Sequence, residues 1–166
     1  SRVSCAPATT CIWAFKAWVS SIKKYLPGTR RVWMAELNMT PDTAPDLARL
    51  QACLSEWFAP WVQALQLEVL SASNSRVNLR LPVTPDLTRV GDILCGQAMM
   101  AAADTAMVLA ICQHLATTRQ PMTTVQLNTS FMRPLSAQDA IVNAEVLRAG
   151  KSLVFGEISL HGAHDG

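Results

Sequence analysis

The chain has 166 residues, of which 50% are hydrophobic and 16% charged, with a formal net charge of +2. That length suits one domain able to bury a real core, and the composition excludes a disordered chain. The charge is uneven: residues 1–33 hold six of the fourteen basic residues and no acidic one, and the remaining 133 carry a net −4, so the basic charge is confined to one end and a nucleic-acid footprint is excluded.

Within residues 1–33, Ile12, Phe15, Val19, Ile22 and Leu26 recur at helical spacing until Pro27-Gly28, with Lys16, Lys23 and Lys24 off that stripe. A basic, acid-free amphipathic start reads as a transit peptide, a membrane-surface helix or an extension outside the domain, and the last is preferred. The domain is therefore expected over residues 34–166. Pro41, Asp42 and Pro45 form a breaker and cap cluster, and Leu47, Leu50, Leu54, Trp57 and Phe58 keep helical spacing until Pro60. Residues 61–65 read as a bridge. The period then becomes two. Leu67, Val69 and Ser71 alternate with Glu68 and Leu70, Ser73-Asn74-Ser75 is a turn, and Val77, Leu79, Leu81 and Val83 alternate with Arg76, Asn78, Arg80 and Pro82, which predicts an antiparallel hairpin.

After a loop over 84–92, residues 93–111 are apolar on every side and carry one charge, Asp104. A helix of that kind is buried, in a core or in a membrane. The length approaches that of a span, but Asp at a bilayer centre costs about 2.5–3.5 kcal/mol and alanines add little to insertion. A membrane-inserted protein spanning at 93–111 is thus kept only as an alternative. Beyond a loop at 117–121, Val125, Leu127, Thr129 and Phe131 form one face of a strand, Val142, Ala144 and Val146 a second, and Val154, Gly156, Ile158 and Leu160 a third, with Ala149-Gly150-Lys151 as a tight turn. The order predicts an α+β domain, an antiparallel sheet with one buried helix on its face.

Few residues suggest chemistry. Ala149-Gly150-Lys151-Ser152 lacks the opening glycine of a phosphate loop, since position 145 is Glu145. His161, His164 and Asp165 lie at the end of the chain, so no metal site is expected. Cys5, Cys11, Cys53, Cys95 and Cys112 are odd in number and widely spaced, which points to a reducing, cytoplasmic compartment. His114 suits the C-terminal end of the long helix. Asp104 reads either as a buried carboxylate capped by neighbouring hydroxyls or as a general base or nucleophile. Gly96-Gln97 at the helix start offers unsatisfied backbone N–H groups that stabilise an oxyanion. Asp104 lies eight residues further along, about 12 Å on a helix, too far to meet a carbon held at its own helix start. If both act, a second chain must supply one of them, in a homodimer with two equivalent shared sites.

From Val83 onward the residues resemble the hotdog-fold acyl-CoA thioesterases of the phenylacetic-acid-degradation (PaaI-like) type. Ala103-Asp104-Thr105-Ala106 matches their Ala-Asp-x-Ala helix, and Cys95-Gly96-Gln97 stands at the place of their His-Gly-Gly. Residues 123–134 resemble the family's central strand, and Gly150-Lys151-Ser152-Leu153 with Gly156-Glu157 its next hairpin. The resemblance implies a hotdog fold, an antiparallel sheet wrapped around one long central helix; family members continue past a turn like His164-Asp165-Gly166 into one more strand, which is expected to be missing here, so that an edge is left unpaired. It implies Asp104 as the carboxylate that attacks the thioester or activates water, Gly96 as the oxyanion donor, and Thr124 as a polar residue placing the water. Gln97, Cys95 and Arg89 become substrate-binding candidates, Arg89 toward a CoA phosphate. Expected, then, is a homodimeric or homotetrameric acyl-CoA hydrolase with no cofactor beyond the coenzyme A of its substrate and no nucleic-acid or membrane partner. The rival is a non-catalytic hotdog domain binding acyl-CoA or another apolar ligand.

Overall fold

The structure, a computed structural model, describes residues 9–17, 46–116, 122–150 and 152–164, with the backbone alone for 9–17. Asp46 opens the first helix, α1 (Leu47–Trp57), by accepting a hydrogen bond from the Arg49 amide at 3.0 Å, which satisfies one orphan donor and is worth about 1 kcal/mol. Leu50, Cys53 and Leu54 on its inner face are buried. Pro60 begins a further single turn, α2 (Pro60–Gln63), within the stretch expected to be only a bridge. Proline is tolerated there because its missing N–H would be unpaired at a helix start in any case.

The hairpin follows as expected. Strand β2 (Glu68–Ala72) pairs with β3 (Arg76–Leu81), and Val77, Leu79 and Leu81 are fully buried while Arg76 and Arg80 face outward. Arg80 bonds Glu68 and, at 3.1 Å, Asp139; Arg76 bonds Glu145 at 2.9 Å. A 3-10 turn over Pro85–Leu87 leads to a small hairpin, β4 (Thr88–Arg89) and β5 (Ile93–Leu94), closed by Gly91 at φ +86°, a conformation that glycine adopts without steric cost. The central helix α3 runs Gly96–His114, three residues later than the apolar run suggests, because Ile93 and Leu94 are drawn into β5.

Three long strands complete the sheet: β6 (Met122–Phe131), β7 (Ala140–Ala149) and β8 (Val154–Gly162). On β7 the side chains of Val142, Ala144 and Val146, and on β8 those of Val154, Ile158 and Leu160, are buried against α3. Ala102, Ala103, Ala106 and Ala110 on α3 are fully buried, and their small side chains let the helix lie close to the sheet. Gly156 serves the same approach: a Cβ there would stand 2.2 Å from Met107 Cε.

The sequence expectation fails at the N-terminal end. Residues 9–17, read as part of an amphipathic helix, form a strand, β1 (Thr9–Ala17); residues 18–26 of that reading and the expected boundary at 33/34 lie outside the described residues. The six-stranded antiparallel sheet has the order β2-β3-β7-β8-β1-β6. Thus β1 pairs with β8 on one side and β6 on the other, and β8, whose edge was expected to be unpaired, is covered. Two flanking ladders outweigh a local helical pattern, since extended backbone here satisfies its hydrogen bonds on both sides. The membrane alternative for 93–111 is also overturned: α3 is buried beneath this protein's own sheet, and no helix among the described residues is long and apolar enough to cross a membrane.

Candidate active site

The start of α3 is held open by its surroundings. Cys95 occupies the N-cap in extended conformation without capping through its side chain, and its own amide donates to Leu87 O at 2.9 Å. The first intrahelical bond runs from Met99 N to Cys95 O. The amides of Gly96, Gln97 and Ala98 are therefore helix-start donors with no acceptor inside the helix. Two straps position this tip. Leu94 N donates to Leu135 O at 2.8 Å and Ala137 N to Asp92 O at 3.2 Å, which ties the β4–β5 hairpin to the loop after β6. Gln97 is exposed in the first turn, Cys95 is half-buried, and Arg89 is exposed on β4 opposite Ile93. The Phe131 ring, at the end of β6, lies over Gly96, with its Cζ 3.1 Å from where a Cβ would be.

Asp104 lies in the third turn, partly buried on a helix otherwise almost wholly apolar. Thr124 Oγ1 donates to its Oδ1 at 2.7 Å. Burial pushes the Asp104 carboxyl above the ordinary 3.8, and the Thr124 hydrogen bond pulls part of the way back. Thr124 makes this bond, while Thr105, next to Asp104 on the helix, is buried in the core.

Strict alternation puts Thr124 on the opposite face from Leu127. The structure resolves this with a β-bulge. Along β1, Ala14 pairs with Gln126 and Phe15 with Thr124, so Val125 is an extra residue. Val125, expected on the same face as Leu127, is 55% exposed instead. Met122 and Leu127, five residues apart, both pack against the core, and Thr124 faces the helix with them.

The chain therefore assembles two separate groups. Thr124 and Asp104 form one, and Gly96, Gln97 and Cys95 lie at the helix start as the other, with Arg89 exposed on β4 opposite Ile93. Eight residues of unbroken α3, about 12 Å, separate Asp104 from Gly96. Phe131 was not singled out as a site residue by the sequence; its only signal was its place at the end of the strand resembling the family's central one. Cys112 is not a nucleophile, since burial pushes its thiol up to about 12.

The chain is also similar to known proteins. The model of the Thioesterase superfamily matches residues 91–166, the segment that carries α3, β6, β7 and β8. That segment, just under half of the chain, is similar to the thioesterase superfamily. A Thermoplasma acidophilum protein bearing the name putative esterase is 28% identical over 99 residues, which are 60% of this chain and 74% of the relative. Among solved structures, one from Silicibacter, described as a putative thioesterase, is similar at 26% identity and TM-score 0.63, covering 71% of this chain and 81% of that one. A mutant thioesterase of Pseudomonas aeruginosa is similar at 14% identity and TM-score 0.57, covering 73% and 97%. The fold is the hotdog fold, as the resemblance implied, and the superfamily domain is α+β with its sheet wrapped on α3.

Proposed function

We propose that the protein hydrolyses acyl-CoA thioesters to the free acid and CoA, as a homodimer in which each site is built from two chains. The observation that carries this is the Thr124–Asp104 pair: a carboxylate with raised pKa, held by one oxygen, on a helix that otherwise has no use for charge. A carboxylate tuned upward is a better base near neutral pH. Thioester hydrolysis is the chemistry expected of the superfamily whose model the segment matches, and the acyl-CoA class is the finer reading.

The missing half of the site lies on a second copy. Strand β6 ends the sheet, pairs only with β1 among the described strands, and is exposed along most of its ten residues. A free edge of that length is a template for a further strand. Thr124 marks one end of β6 by Asp104, and Phe131 marks the other by Gly96. Antiparallel pairing of two β6 strands, centred near residues 127 and 128, brings Thr124 of one beside Phe131 of the other. Asp104 then approaches Gly96 of the partner subunit. A pair of such dimers is compatible with this site.

In the proposed reaction the thioester oxygen accepts hydrogen bonds from the helix-start amides at Gly96 and Gln97, with the positive end of the α3 dipole behind them. Asp104 Oδ2 takes a proton from water as the water oxygen bonds to the carbonyl carbon. The tetrahedral oxyanion collapses, the C–S bond breaks, and the thiolate recovers the proton from Asp104. Direct attack by Oδ2, which expels the CoA thiolate and gives a mixed anhydride that water then cleaves to the free acid and the Asp104 carboxylate, uses the same residues. Arg89 would serve as the partner for a CoA phosphate, and Gln97 and Cys95, in the first turn and at the N-cap of α3, would contact the substrate. No metal or prosthetic group enters the scheme, and a cytoplasmic setting supplies the substrate. Steady-state hydrolysis of an acyl-CoA panel by the wild type and by Asp104→Asn tests the proposal. The expected result is turnover lost in the variant; equal rates would remove Asp104 from the mechanism, and no turnover by either protein would leave a ligand-binding hotdog domain in place of an enzyme.

A further inference from the structure

We propose that the N-terminal strand β1 is a positioning element of the site, acting on Asp104 through β6 and Thr124. Strand β1 lies outside the segment that matches the superfamily, residues 91–166, so this is a feature of the chain rather than of that match. Strand β6 reaches the rest of the sheet through β1 alone among the described strands. The register of β1 on β6 runs from Thr9 against Phe131 to Ala17 against Met122, so β1 spans both the Gly96 end and the Asp104 end of β6.

The register carries the decisive detail. It is regular from Thr9–Phe131 to Ala14–Gln126 and resumes at Phe15–Thr124, with Val125 left over. In a regular strand, residues an odd number apart face opposite sides. Leu127 packs on the core; without the bulge, Thr124, three residues away, would face outward and Val125 inward. Bulges turn side chains toward sites in this way. Against β1 the extra residue is absorbed one position before Thr124 is needed, so the hydroxyl faces α3 and reaches Asp104 Oδ1 at 2.7 Å. Strand β1 is thus the ruler against which the position of Thr124 is set. The mechanism above supplies the reason why this position matters, and in that respect the inference rests on the proposed function.

Two measurements on the full chain test it, neither requiring turnover. First, Thr129→Cys places a thiol opposite the native Cys11 in the β1–β6 register. Direct cross-strand neighbours lie within disulfide reach. Mild oxidation and peptide mapping are expected to yield a Cys11–position 129 bridge within one chain; a folded variant whose new thiol stays free overturns the pairing. Second, the Asp104 carboxyl is titrated by carbon NMR. Ala14→Pro deletes a backbone donor from a strand paired on both sides, which sheets do not tolerate in their interior. It is expected to shift the Asp104 pKa upward, as Thr124→Val does, and the double variant is expected to shift it no further. An Asp104 titration in folded Ala14→Pro equal to wild type overturns the proposal. If Ala14→Pro does not fold, deletion of Val125 decides the matter: removing the extra residue is expected to leave Thr124 facing α3 and the titration unchanged, and an upward shift like that of Thr124→Val contradicts the bulge. Where turnover is also measured, Thr124→Val is expected to lower kcat roughly tenfold or more with KM nearly unchanged, the scale of one hydrogen bond to a charged group. That loss should be absent in the Ala14→Pro background.

Discussion

The Phe131 ring covers Gly96 so closely that a Cβ at position 96 would stand 3.1 Å from its Cζ and 3.4 Å from its Cε1. One face of the helix tip is therefore walled by an aromatic ring. The ring is 50% exposed, and its neighbour Met132 is 54% exposed, so the wall is apolar and open to solvent.

Gly96→Ala is expected to crowd this wall. The substitution favours the helix itself, alanine being the better helix former by up to about 1 kcal/mol. The thermal midpoint should therefore hold or rise while kcat/KM for thioester hydrolysis falls, by roughly tenfold or more, the usual size for a misplaced oxyanion donor. Adding Phe131→Leu should return part of the loss, since it frees the space that the new methyl needs. Steady-state kinetics beside thermal unfolding separates the two effects.

Asp104 should weaken the fold it serves. Burial raises its pKa above 3.8, so ionisation is harder in the folded chain than in the unfolded one. The wild type therefore loses stability as pH rises from about the ordinary value through the raised one, and the loss is complete above it. Asp104→Asn carries no charge and still accepts a hydrogen bond from Thr124. Thermal unfolding should show the variant melting higher than wild type at pH 7, with the advantage gone below the ordinary carboxyl pKa. Its activity should be lost at every pH.

The acid limb of the wild-type pH–rate profile should follow the same group. It is expected above the ordinary value of 3.8, because burial dominates, and higher again in Thr124→Val, because the one hydrogen bond that favours the charged form is gone. Profiles of kcat/KM for the two proteins check the order.

Gly156 tests the packing of the helix on the sheet. A Cβ there would meet Met107 Sδ at 2.6 Å and Glu145 O at 2.8 Å. Gly156→Ala should destabilise by about 1–3 kcal/mol or more, as overpacked cores do. Shortening Met107 to alanine should not rescue it, because the backbone carbonyl of Glu145 has no room to move. Denaturant midpoints of the single and double variants decide this.

Much of the fold was legible because burial imposes periods. The alternation of Val77, Leu79 and Leu81 and of Val154, Ile158 and Leu160 is that of strands buried on one side, and all six are buried as their spacing requires. The apolar run around Asp104 marked a helix enclosed by its own protein. What was not legible depends on neighbours distant in sequence. Ile12 and Phe15 fit a helical stripe, yet extended β8 and β6 offer residues 9–17 two ladders. Thr124 was identified by resemblance, but its direction depends on the slip at Val125, which no local pattern records. Phe131 read as a core-facing strand residue because its contact with Gly96 is made across thirty-five positions of chain.

The two-chain site gives a direct test of the pairing. Asn128→Cys puts a thiol near the centre of the proposed β6–β6 seam, and antiparallel neighbours there are within disulfide reach. Oxidation should yield a covalent dimer that keeps its activity.

The most direct measurement is complementation between two inactive proteins. Asp104→Asn and Gly96→Val are co-expressed with separable tags, and acyl-CoA hydrolysis is measured on the mixed dimers. If Asp104 of one chain serves Gly96 of the partner subunit, each mixed dimer holds one site with both defects and one with neither, and a randomly assorted population recovers about a quarter of the wild-type rate. If both residues of a site came from one chain, no mixed dimer would hold an intact site, and a preparation as inactive as its parents would contradict the account.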